Sequence, residues 1–196
     1  MCKIVDNYCS SCETCARRRL ESPRPIAPLG ALRTVNFPFE RVAVDVVGPF
    51  PRTKHGNRVL VVFIDHFTKW SEAFAVPNQE AKTIARLLVT EIISRYSIPK
   101  ELLSDRGTNF LSKIVAEVCD LFKIKKLSTT AYNPKCNGGV ERHHRVIMDG
   151  LAKYCSENQT DWDEHIQLVL FAYRVVRHSS TMESHFFLVQ RAIMTL

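Results

Sequence analysis

The chain has 196 residues, 45% hydrophobic and 24% charged, a composition that excludes a disordered polymer and fits one domain of ordinary size plus a short appendage. Its 27 Lys and Arg outnumber 20 Asp and Glu, and the net charge of +7 points to a polyanionic partner. No apolar run approaches the roughly 18 residues a membrane span needs, and the polar N-terminus does not read as a secretory signal, so an intracellular protein with reduced cysteines is expected.

Cys2, Cys9, Cys12 and Cys15 crowd the start of the chain. Cys12 and Cys15 form a C-x-x-C, a spacing that lets two thiolates grip one Zn²⁺. A tetrahedral site needs two more ligands, and the first histidine is His55. Two readings stay open: half of a metal site, or a four-cysteine site completed by Cys2 and Cys9 across an unusual spacing. The segment 1–20 ends in the basic run Arg17–Arg19, and the proline-rich stretch 21–38 reads as a linker. The main domain is expected over 39–196.

RVAVDVV (41–47) is a β-branched strand that Gly48-Pro49 terminates. PRTKHGN (51–57) reads as a hairpin turn. RVLVVFID (58–65) is almost continuously apolar, the pattern of a strand buried on both faces. WSEAFAVP (70–77) alternates and predicts a third, antiparallel strand. Residues 80–97 then place Ile84, Leu87, Leu88, Ile92 and Ile93 at helical spacing. A short strand (100–104), a helix (about 109–122), another strand (124–129), a helix (about 139–155) and a last helix (162–176) complete the order. Three antiparallel strands followed by alternating helices and strands predict a mixed α/β layer fold. Trp70, Trp162, Phe63 and Phe171 are expected in the core.

Three acids sit where solubility does not require them. Asp45 lies among Ala43, Val44, Val46 and Val47, where an isolated carboxylate would cost several kcal/mol unless paired, protonated or bound to a metal. Asp105 ends the strand in ELLSD, and Glu141 lies on a helix after Asn137-Gly138-Gly139. Two strand-borne aspartates and a helix-borne glutamate offer hard oxygen ligands suited to Mg²⁺ or Mn²⁺ in a two-metal phosphoryl-transfer site. Asp65 also ends a buried strand and competes on chemistry alone. Its favoured reading is a turn-capping acid bonded to backbone N–H groups. His143 and His144 are adjacent on a helix and point about 100° apart, so the pair is not expected to share one ion.

Asp105 and Glu141 are separated by 35 residues. With Asp45 upstream, that order resembles the catalytic core of retroviral and retrotransposon integrases. FERVAVDVVGPFP, VVFIDHFTKWSEAFAVP, PKELLSDRGTNF, TTAYNPKCNGGVERHHR and HSSTMESHFFLV resemble, in order, successive blocks of gypsy-type long-terminal-repeat retrotransposon integrases. The resemblance implies an RNase H-like fold, a five-stranded mixed sheet flanked by helices. It implies a DNA-integrating polynucleotidyl transferase that processes 3′ ends and transfers strands. Asp45, Asp105 and Glu141 would be the catalytic metal ligands, with Asp45 shared between two ions. It further implies DNA as partner, a homo-oligomer, and a nuclear site of action, directly or after a cytoplasmic particle stage. Asn109, Tyr132, Asn137, Gly138, Arg142 and Arg145 lie in the blocks beside the acids and are candidate DNA-binding residues, with 132–139 read as a flexible loop. Arg145, four residues past Glu141, shares its helical face.

Departures from the family pattern also stand in the sequence. The zinc module would have a histidine pair before the C-x-x-C, and the C-terminal DNA-binding module is not seen. ERHH replaces an expected ERxN, so His144 stands where asparagine is usual. Met182, His185 and Gln190-Arg191 occupy a block that usually carries Gly, Pro and Tyr-Gly. A truncated or host-adopted descendant acting as a nonenzymatic DNA-binding or interaction domain is the alternative reading.

Overall fold

A computed structural model describes residues 33–128, 134–179 and 181–194, with the backbone alone at 134–142 and 193. The expectations for 1–20, for most of the linker and for Cys12, Cys15 and Tyr132 fall outside the described residues.

β-Branched and aromatic runs form the sheet. β1 (Arg41–Val47) and β2 (Val59–Asp65) pair antiparallel, Val44 opposite Phe63 and Asp45 opposite Val62. β3 (Ser71–Val76) adds antiparallel to β2. All seven residues of β2 are buried, which accounts for its unbroken apolar run. β4 (Glu101–Ser104) and β5 (Lys125–Ser128) join parallel on the other side of β1, giving the order β3-β2-β1-β4-β5. The aspartate-bearing strand is therefore the central one. The five-stranded mixed sheet flanked by helices is the RNase H-like fold of integrase cores expected from the sequence.

Parallel neighbours require crossovers, and helices supply them. α1 (Ala81–Leu87) continues into a π-helical segment, Leu88–Ile93, before the chain turns into β4. α2 (Lys113–Leu121) leads into β5 and starts at Ser112, whose hydroxyl accepts from the Val115 N–H at 3.4 Å. It begins four residues later than expected, because 105–111 are spent on the turn after β4. α3 (Pro134–Tyr154), α4 (Trp162–Val175) and α5 (His185–Ile193) follow.

Alternation along the strands builds two cores. Val42, Val44, Val61 and Phe63 face Ile84, Leu88, Ile92, Val115 and Cys119. On the other face Ala43, Leu60, Val62, Ile64 and Leu103 meet Ile147 and Leu151 of α3 and Ile166, Val169 and Leu170 of α4. Phe39 and Glu40, just before β1, are buried as well.

Three expectations need correction. Phe171 is 58% exposed rather than core, since the buried stripe of α4 runs through Trp162, Ile166, Val169 and Leu170. α3 starts at Pro134, so Asn137 and Gly138 lie in helical backbone and not in a loop. Proline suits a first helical turn, where its missing N–H has no partner to lose. α5 was not anticipated. It is capped by Ser184, whose side chain accepts from the Phe187 N–H at 3.2 Å.

Candidate active site

Ala43 and Val47 belong to the core beneath α3 and α4, so Asp45, between them in the alternation, faces the same helices. Its side chain retains 29% of its exposure at the edge of that core. One oxygen, Oδ1, accepts from the Val46 N–H at 2.8 Å. The other, Oδ2, lies 3.7 Å from Nδ1 of His144 on α3.

Asp105 reaches the same end of the sheet through register. β1 and β4 pair Arg41 with Glu101, Val42 with Leu102 and Ala43 with Leu103. Continued two residues past the last paired position, the same offset would set Asp105 opposite Asp45. Because β4 ends at Ser104, Asp105 stands in the open turn, exposed. Its Oδ1 accepts from the Gly107 N–H at 2.9 Å. A Cβ on residue 107 would lie 2.5 Å from Asn109 Oδ1 and 3.0 Å from Asp105 Oδ1, so glycine lets this turn close under the carboxylate. Asn109 is half-buried, and its Oδ1 accepts from the Phe110 N–H at 3.1 Å.

Burial pushes the Asp45 carboxyl above the ordinary carboxylate range, and the charge of Asp105 pushes the same way. The Val46 N–H and His144 oppose them. Two neighbouring carboxylates, one partly desolvated and destabilised by the other, match the oxygen donor set of a divalent cation, whose charge would offset both penalties.

Glu141 sits in α3 one turn before His144 and Arg145. Its side chain, like those of Asn137 and Arg142, lies outside the described residues. Arg145 is exposed. His143 packs against a different neighbour from His144: it is 4% exposed, stacks edge-on against Tyr173 of α4 at 4.6 Å, and burial drives its pKa down to about 3. The two histidines therefore do not share a site, as their helical offset requires.

Asp65 is a structural acid. It is 1% exposed and accepts from the N–H groups of Phe39, Phe67 and Thr68 and from the Thr68 hydroxyl, all within 3.2 Å. Among the described residues, His55, Asp163 and Glu164 are the group of three whose potential ligand atoms all fall within 4.8 Å of one another. Asp45, Asp105 and His144 are not gathered that tightly. The Asp163 Oδ2 atom is already engaged by Thr53, His55 and Asn57, a clamp that ties the β1–β2 turn to the start of α4. His144 is the site neighbour that residue-by-residue reading did not place. Its signal was the second histidine of ERHH, at the position one turn past the glutamate.

Residues 36–134 match the family model described as Integrase core domain. Asp45 and Asp105 lie within that span and Glu141 beyond it. The chain is 30% identical over 177 residues to the retrovirus-related Pol polyprotein from transposon 412 of Drosophila melanogaster, covering 90% of this chain and 14% of that polyprotein. It therefore spans about a seventh of that relative's length. In fold it is similar to a simian T-cell lymphotropic virus intasome, solved in complex with a PP2A regulatory subunit (TM-score 0.72, 22% identity, 96% of this chain and 66% of that one). It is similar also to the HTLV-2 integrase catalytic core domain solved with magnesium in a trimeric form (TM-score 0.62, 22% identity, 78% and 97%). With half its length matched by the family model and the sheet order in agreement, this chain belongs to the integrase core domain family, of the retroviral and long-terminal-repeat retrotransposon Pol type.

Proposed function

We propose that this chain is the catalytic part of a DNA integrase that processes 3′ ends and then joins them to target DNA. The observation that supports the reading is that Asp45 on the central strand β1 feels the charge of Asp105 from the turn just past β4, while α3, the helix that bears Glu141, brings His144 to 3.7 Å from Asp45. Asp45, Asp105 and Glu141 would hold two Mg²⁺ or Mn²⁺ ions, with Asp45 common to both. When bound, the ions supply Lewis-acid stabilisation to the attacking and leaving oxygens of the phosphodiester.

The chain's own residues hold and orient. β1 fixes Asp45 on the rigid central strand, and the turn after β4 holds Asp105 through the Gly107 N–H, which limits the reorganisation left for the moment of reaction. The Val46 N–H holds one oxygen of Asp45 and leaves the other turned toward α3. Arg145, exposed one turn past Glu141, would meet the phosphate backbone, and the net charge of +7 favours such contacts. Asn109, Tyr132, Asn137, Gly138 and Arg142 would line the same DNA path. The first turns of α3, rather than a loop, would carry three of them. Cys12 and Cys15 would contribute to a zinc site upstream. The partner is DNA, the working unit an oligomer, and the site of action the nucleus. The HTLV-2 relative's trimeric form and magnesium, and the simian virus relative's intasome, are consistent with this.

The test combines Mn²⁺ calorimetry with strand transfer on a DNA duplex, comparing wild type with Asp45→Asn and Asp105→Asn. Loss of both binding and strand transfer in folded variants supports the reading. Wild type that binds no Mn²⁺, with DNA present, overturns it in favour of a nonenzymatic binding domain.

A further inference from the structure

His144 occupies a place that the two-aspartate, one-glutamate account leaves unused. It is borne on α3 one turn past Glu141, its side chain is 16% exposed, and its Nδ1 faces the Asp45 Oδ2 atom at 3.7 Å. Two donors about 2.1 Å from one ion stand roughly 3.0–3.4 Å apart, so a closure of a few tenths of an ångström would let both atoms bind the same cation. Asp45 already uses Oδ1 on the Val46 N–H, which leaves Oδ2 to meet an ion on the α3 side. Asp105 stands in the turn just past β4 and does not join Asp45 and His144 in a group whose ligand atoms all lie within 4.8 Å. His143 is excluded from the same role, because its ring is buried against Tyr173.

Resting on the metal reading above, we infer that His144 is a nitrogen ligand of the cation bound between Asp45 and the α3 helix, and that it tilts this site from Mg²⁺ toward Mn²⁺. The chemistry follows from donor type. Carboxylate and water oxygens suit Mg²⁺, whereas an imidazole nitrogen favours later, softer divalent ions. An asparagine at this position would offer only a hard amide oxygen. The second ion, between Asp45 and Asp105, keeps an all-oxygen set and no such bias. An ordinary ion pair between protonated His144 and Asp45 is the competing account, and it predicts no bond from nitrogen to metal.

The experiment is pulsed electron paramagnetic resonance of Mn²⁺ bound to the full chain. Nitrogen modulation of the Mn²⁺ echo is expected in wild type, changing from ¹⁴N to ¹⁵N character in protein grown with ¹⁵N-histidine. In His144→Asn, Mn²⁺ should still bind without that modulation, and the ratio of Mn²⁺ to Mg²⁺ affinity should fall about tenfold. His144→Gln serves if the asparagine variant does not fold, and the labelled wild type needs no variant. Bound Mn²⁺ with no histidine modulation, or modulation that survives in His144→Asn, overturns the assignment while leaving the metal reading standing. Wild type that binds no Mn²⁺ overturns both.

Discussion

Replacing Asp65 by alanine separates a structural acid from a ligand. The carboxylate receives the Phe39 N–H (3.0 Å) and Phe67 N–H (3.2 Å) on Oδ1, and the Thr68 N–H (2.9 Å) and hydroxyl (2.7 Å) on Oδ2. Burial raises its pKa and these donors oppose the rise, so the charge is tolerated because four groups point at it. Asp65→Ala strands the buried Phe39 and Thr68 amides, each costing about 1–3 kcal/mol, and removes a buried charge that returns part of the loss. A net loss of about 2–4 kcal/mol follows from those terms. At about 2–4 °C per kcal/mol for a chain of this size, thermal unfolding followed by far-ultraviolet circular dichroism should drop by roughly 5–15 °C. Mn²⁺ binding, measured well below that midpoint, should be unchanged. A midpoint within about 2 °C of wild type, or loss of Mn²⁺ at full stability, would refute the capping argument.

Further outcomes can be checked on the same scaffold. Arg41→Met leaves the buried Glu101, held by the guanidinium at 2.6 Å, without its main partner. About 3 kcal/mol should be lost in urea titrations, most of it recovered in Arg41→Met/Glu101→Leu. Gly150→Ala would bring a Cβ within 2.6 Å of Val169 Cγ1, where α3 meets α4. Overpacking of about 1–3 kcal/mol should outweigh the gain of about 1 kcal/mol in helix propensity, and Val169→Ala in the same chain should relieve it. Burial lowers His66 and His185 from 6.5 to about 4. Below pH 6.5 the unfolded chain takes up these protons first, so their contribution should make stability fall from about pH 6.5 to about pH 4. Urea midpoints at several pH values check the sign, and His185→Gln should flatten the slope.

The strands were legible because their signals are local. β2 is apolar on both faces and sits in the sheet interior, and β3 lies beside it at the edge of the sheet. Asp45 stood out because a charged residue at an apolar strand position costs free energy that something must return, and Asp105 by its place at a strand end. Asp65 was separable from them by the turn chemistry after it. Phe171 was misread because period alone does not say which side of an apolar-rich helix meets the sheet. α3 begins earlier than its glycines suggest, since helical propensity is a weak prior against tertiary packing. His144 could be named as a departure but not placed, because its distance to Asp45 depends on how α3 docks across β1. No local pattern encodes that.

The sheet ends in two strands, β3 and β5, and each carries a feature that hinders pairing with a passing chain. β5 is four residues long and carries Lys125 and Lys126. Along β3, the Trp70 carbonyl accepts from the Asp65 N–H, so the next carbonyl, Ser71, points away from β2. Arg174 of α4 covers it, donating from Nε at 3.1 Å and Nη2 at 2.6 Å, while also pairing with Glu72 at 2.8 Å. A cationic short strand on one side and a guanidinium lid on the other oppose strand-by-strand growth into fibrous aggregates. A second chain that approached the β3 edge would meet a guanidinium where it needs a free carbonyl.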